Sequence, residues 1–189
     1  MKALTPSRVI AVAALAVAVL SLGVASAGTG PGERERVGER RVGEQRLGDQ
    51  RSKNCPRGRH KLERNKRNVV DYYETALNDK NPRLAVERYG GPVYIQHNPL
   101  AANGFDAFIE FFEEFTSTFP DAHIDIRRVF AECDFVITHG LLTGAVPVYT
   151  ERGTKVVDIF RLNKRGKIVE HWDVSAPISA TSANGNPEV

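Results

Sequence analysis

Apolar residues recur at helical spacing from the middle of the first half of the chain, at Val69, Val70, Tyr73, Ala76 and Leu77, which predicts an amphipathic helix over residues 62–79. Asn81-Pro82 ends it, since a residue before proline avoids helical geometry. A shorter helix is expected over 83–89, stopped by Gly90-Gly91-Pro92. Residues 93–97 read as a short extended segment closed by Asn98-Pro99. Phe105, Phe108, Ile109, Phe112 and Phe115 then mark a third helix over 104–118. After Phe119-Pro120 the period changes to that of strands, expected at 122–132, 135–145, 155–162 and 167–174.

Helices first and a run of strands afterwards is an α+β order, with helices packed on one sheet face. The expected architecture is a cone-shaped barrel, a curved antiparallel sheet with the N-terminal helices packed on its concave side. The hollow of such a cone is a natural binding pocket.

Composition changes the picture ahead of this domain. Lys2 and Arg8, an uncharged run over 9–24 and Ala25-Ser26-Ala27 have the three parts of a secretory signal peptide over 1–27. Cleavage before Gly28 and a secreted or cell-envelope location follow as expectations, an uncleaved anchor being the alternative. Residues 28–61 hold almost no large apolar side chains and repeat a five-residue unit beginning at Arg36, Arg41 and Arg46, so a disordered, low-complexity arm is expected. Residues 62–178 form the domain, and 179–189 a flexible tail.

Charge divides the chain. Residues 28–67 carry 13 Lys/Arg against 6 Asp/Glu, and residues 68–189 carry 11 against 17. The arm, at +7, suits weak contact with an anionic surface or a plain solvated tether. Lacking aromatic rings to stack on bases, it is not expected to bind nucleic acid. Cys55 and Cys133 would meet an oxidising compartment, where pairing is allowed and not required.

Chemistry concentrates in the last two strands. Asp158, His171 and Asp173 sit among apolar residues, where ionisable groups cost free energy unless paired. A two-residue turn at Lys164-Arg165 would set Asp158 across from His171, and a three-residue loop with a bulge at Gly166 would set it across from Trp172. His171 and Asp173 share a face in either register. A carboxylate beside an imidazole can fix its tautomer and make it a general acid or base; the competing account is a hydrogen-bonded brace or plain solvent exposure. His97, at the end of its strand, could reach over a cavity mouth. Tyr73, Tyr94, Gln96, Phe112, His139, Phe160 and Trp172 are the expected pocket wall. No compact metal-ligand spacing, phosphate loop or nucleophile elbow is present, and neither metal nor cofactor is expected.

Tyr72-Tyr73-Glu74-Thr75-Ala76-Leu77-Asn78, Tyr94-Ile95-Gln96-His97-Asn98-Pro99, and Val157-Asp158-Ile159-Phe160-Arg161 followed by Glu170-His171-Trp172-Asp173-Val174 together resemble the SnoaL-like polyketide cyclases of the nuclear transport factor two superfamily. The resemblance spans about 67–178. It implies the cone fold and, for the cyclases, an intramolecular aldol condensation without cofactor, in which an acidic side chain moves protons. Gln96, His97, Asp158, His171 and Asp173 are the matching polar positions, and either aspartate could carry the proton. Glu132-Cys133-Asp134 departs from the Glu-Gly-Asp usual at that turn.

The resulting expectation is a proton-transfer enzyme of aldol, isomerase or dehydratase type acting on a small hydrophobic carbonyl compound. A binding module of the same fold, pairing as a homodimer through the outer sheet face, is one alternative. An exported interaction domain targeted by its arm is the other.

Overall fold

The computed structural model describes residues 58–145 and 151–189. The expected signal peptide and all but the last residues of the expected arm lie outside the described residues, as does Cys55. Helix α1 runs Arg59–Tyr73 and continues as a π-helical turn over Glu74–Asn78. It starts three residues earlier than the apolar pattern indicated, so Arg59, His60 and Lys61 are helical. Asn81 caps α2 (Pro82–Tyr89), its Oδ1 accepting from Leu84 N at 3.1 Å, and Pro82 fills a first-turn position where a missing N–H costs nothing. Helix α3 spans Phe105–Thr118.

Five strands follow the order β1-β5-β4-β3-β2, with β1 Gly90–Gln96, β2 His123–Glu132, β3 Phe135–Thr143, β4 Thr154–Leu162 and β5 Ile168–Pro177. Two features differ from the expected all-antiparallel barrel. β1 pairs with β5 in parallel, because the chain leaves β1 through α3 and three further strands before returning alongside it. The sheet is also open, with β1 and β2 as its edges. The mixed α+β, cone-like curvature is as the sequence implied.

The helices cover one face of the sheet. Tyr72, Phe160, Leu162, Ile168, Val69 and Val136 are each at most 1 % exposed, and Tyr72 stacks on Phe108 of α3 at 4.9 Å while meeting Phe160 of β4 edge-on. Polar bonds fix α1 over the β4–β5 turn, where Asn68 Nδ2 donates to Gly166 O at 2.8 Å. At the other end Asn78 brackets the backbone of Ile124 on edge strand β2, donating to its carbonyl and accepting from its N–H.

The β4–β5 hairpin takes neither of the two registers expected for it. Gly166, at φ 78°, supports a three-residue loop closed by Asn163 N donating to Lys167 O at 2.8 Å. A second irregularity then follows: Leu162 pairs with Ile168 but Arg161 with Glu170. Val169 is the extra residue of a bulge, which explains why Ile168 and Val169 are buried in succession. The bulge moves the pairing one residue further, and Asp158 stands opposite Asp173.

Cys133 occupies a left-handed position (φ 54°) in the β2–β3 turn and is disulfide-bonded. Beyond Ile178 the chain has neither helix nor strand; Glu188 accepts from Ser179 N at 2.8 Å and pairs with Lys155.

Candidate active site

Alternation along the strands decides which side chains meet beneath the helices. Thr138, Asp158 and Asp173 lie in one row across β3, β4 and β5, and Phe160 pairs with His171 in the next. All five point to the concave face. Between this face, α3 and the loop after β1 is a cavity of about 580 Å³, with Asp158, His171 and Asp173 in its wall.

Asp158 is 3 % exposed and receives three donors. Tyr73 Oη donates to Oδ1 at 2.7 Å, Thr138 Oγ1 to Oδ2 at 3.0 Å, and His171 Nε2 lies 3.2 Å from Oδ1. Burial, and secondly the adjacent Asp158 charge, holds the Tyr73 hydroxyl well above its ordinary pKa, so it stays a neutral donor. An ionised carboxylate accepts only, which places a proton on His171 Nε2.

The other ring nitrogen meets Gln96. Gln96 Oε1 accepts from the backbone N–H groups of His97 (2.9 Å) and Asn98 (3.0 Å), which orients its amide nitrogen toward His171 Nδ1 at 3.0 Å. With Nε2 donating to Asp158, Nδ1 is placed to accept from the Gln96 amide. Gln96 Oε1 lies 3.2 Å from the same Nδ1, so an acceptor is also at hand for imidazolium. One side chain serves both protonation states without swinging away.

Asp173 is the less constrained carboxylate. Asn98 Nδ2 donates to both its oxygens, at 3.1 and 2.9 Å. Burial raises its pKa; the nearby Asp158 charge adds to the rise, against the opposing pull of His171 and the Asn98 amide. A half-buried carboxyl of raised pKa in a cavity wall suits proton exchange with a ligand. Tyr94, whose hydroxyl burial keeps neutral, Leu77, Leu142 and the α3 rings Phe108, Phe111, Phe112 and Phe115 supply an apolar wall around it.

The structure thus gathers Asp158, His171, Asp173, Gln96, Tyr73, Tyr94 and Phe112 at one cavity. It separates the rest. His97, expected over the mouth, lies on the outer face, its ring stacked on Trp172 at 4.3 Å with Nε2 2.8 Å from Glu170. Trp172 is outward because it sits between inward His171 and Asp173. His139, next to inward Thr138, likewise faces out, 3.2 Å from Arg128 Nη1. Phe160 is fully buried beneath the cavity, stacked on His171 at 4.6 Å, and is core instead of wall. Thr138 and Asn98 were missed as site residues, although Thr138 shares the period of Val136 and Leu142, and Asn98 belongs to the Gln-His-Asn-Pro motif. Among the described residues no three His, Cys, Asp or Glu side chains converge as a metal site.

The SnoaL-like domain profile matches residues 69–171, more than half of the chain. The chain belongs to the SnoaL-like domain family. Among solved structures, a candidate SnoaL-like polyketide cyclase from Jannaschia sp. CCS1 is 19% identical with a TM-score of 0.50, covering 68% of this chain and 91% of its own. A candidate polyketide cyclase from Acidithiobacillus ferrooxidans is 18% identical with a TM-score of 0.50, covering 59% and 87%. Likeness at such identities establishes the fold. No curated protein is detectably similar to this SnoaL-like chain in sequence.

Proposed function

We propose that this SnoaL-like protein is a cofactor-independent enzyme that moves a proton on a small hydrophobic carbonyl compound, with Asp173 as the carrier. The observation that carries this is the division of labour between two facing aspartates. Asp158 is saturated by Tyr73, Thr138 and His171, whereas Asp173 lines the cavity with a raised pKa and, among the described residues, only an amide bonded to it.

In the first step Asp173 takes a proton from the carbon beside the carbonyl, and the C–H electron pair moves to the carbonyl oxygen. Tyr94 lines the same cavity, and its hydroxyl is the donor we assign to that oxygen. Stabilising charge where it develops, in a space walled by aromatic rings, is the main means available to such a site. Asp158, Gln96 and Tyr73 are positioning residues that hold His171 in one tautomer beside Asp173. The enol then attacks a second carbonyl, expels a β-hydroxyl or is reprotonated elsewhere, giving aldol, dehydratase or isomerase outcomes.

Exchange of α-hydrogens of α-tetralone for deuterium, followed by NMR, tests the first step without knowledge of the natural substrate. Catalysed exchange that Asp173→Asn abolishes is expected. Retained binding with no exchange in wild type would refute the enzyme and leave a binding module.

Support for a homodimer comes from the outer face, where Phe130 pairs beside Ile137 and Val157 beside Val174, each 38–73 % exposed. These pairs lie in neighbouring rows of that face, Ile137 continuing to Ile159 and Val157 lying beside His139, and exposed apolar side chains grouped on one face are common at subunit interfaces. Sedimentation of wild type against Val174→Asp tests it, a dimer becoming a monomer.

A further inference from the structure

Charge along the cavity wall carries a conclusion about what it binds. Its acidic and imidazole residues are Asp158, Asp173 and His171 at the strands, and Glu110 and Glu114 on α3; its tyrosines Tyr73 and Tyr94 are neutral, and among the described residues no Lys or Arg lines it. Residues 146–150, between β3 and β4, are Val, Pro, Val, Tyr and Thr and carry no charge. Glu113, on the same helix but outside the cavity, forms a two-point pair with Arg83. Among the described residues Glu110 and Glu114 are bonded to no such cation, although a like-charged pair four residues apart repels and Glu114 is half-buried in a wall that also holds Phe111 and Phe115.

We propose that this cavity selects an amine-bearing aromatic carbonyl compound, its protonated amine held between Glu110 and Glu114 and its carbonyl directed to Asp173 and Tyr94. Carboxylates one helical turn apart can flank a single ammonium, and the adjacent phenylalanine rings add cation–π attraction. An anionic ligand would bring its charge into a space with several carboxylates and, among the described residues, no Lys or Arg to compensate it. The cavity volume of about 580 Å³ leaves room for a fused-ring ketone carrying a side arm. The inference rests on the cavity being the substrate site, and is independent of which residue moves the proton.

Three α-tetralones that differ in one ring substituent, dimethylaminomethyl, isopropyl or carboxylate, test it by calorimetric titration of the full-length protein. The cationic compound should bind roughly ten-fold tighter than the isopropyl one, and the carboxylate weakest. Added salt should weaken the cation selectively. In Glu110→Gln/Glu114→Gln the cation-to-neutral ratio should fall to about one, and in Glu113→Gln it should persist; the exposed single variant Glu110→Gln gives an intermediate ratio should the double variant fail to fold. Equal binding of the three, preference for the anion, no binding of the cation, or a ratio indifferent to Glu110 and Glu114 would overturn the proposal. Deuterium exchange unaffected by Asp173→Asn, with the charge order intact, would instead sink the proton-transfer assignment and leave this one standing.

Discussion

Asp158 and Asp173 are direct partners across β4 and β5 and point to the same face, so two carboxylates are held side by side at the edge of one cavity. Like charges so placed cannot be equivalent. Three donors meet Asp158, while burial, with the neighbouring Asp158 charge adding to it, holds the proton of Asp173 more tightly than in a free side chain.

Replacing Asp173, the proposed proton carrier, should therefore be far more damaging to turnover than to folding. Asp173→Asn keeps the size of the side chain and a partner for Asn98, and is expected to lower the α-hydrogen exchange rate by about 10²-fold or more. NMR exchange rates on protein whose circular dichroism matches wild type check this.

The raised Asp173 pKa also has a sign for stability. A carboxyl that binds its proton more tightly in the folded state makes folding weaker as pH rises from its unfolded value through its folded one. Asp173→Asn should accordingly melt higher than wild type at neutral pH, by about 1–3 °C, and the difference should vanish in acid below the ordinary aspartate range. Exchange activity should show an acidic limb above that range, since the base must be ionised. Calorimetric scans against pH, with rate profiles on the same samples, would contradict the assignment if the melting difference grew toward acid.

Tyr73→Phe removes the 2.7 Å donor to Asp158 while keeping the ring against Phe160. A lost bond to a buried charge is expected to cost about 1.5–3 kcal/mol. Urea unfolding measures that loss. Exchange should fall less than in Asp173→Asn, because Tyr73 acts through Asp158 and His171.

His97→Ala should leave α-hydrogen exchange within about twofold of wild type, as its ring stacks on Trp172 outside the cavity. Trp172 is the one tryptophan of the chain, so its emission should move to longer wavelength as the cover is lost. A large drop in exchange would return His97 to the catalytic set.

Much of this site could be read in the residues. Helical spacing from Val69 to Leu77 located the helix that carries Tyr73, and the polar groups of the last two strands announced themselves by interrupting apolar runs. Alternation also told that His171 and Asp173 share a face. His97, His139 and Trp172 went astray for one reason: an aromatic or imidazole ring in a strand has the same pattern whether its face is turned to a hollow or to solvent.

Local sequence by itself determined the helices, the strands, the order of α before β and the identity of the ionisable groups, because periodicity and turn chemistry act over a few residues. Tertiary structure alone decided the parallel partnership of β1 with β5, which joins segments some 75 residues apart in the pairing of Gln96 with His171, and the facing of Asp158 and Asp173. The latter hangs on the bulge at Val169. Burying Ile168 and Val169 in succession requires one extra residue in the strand, and only tertiary packing sets that requirement.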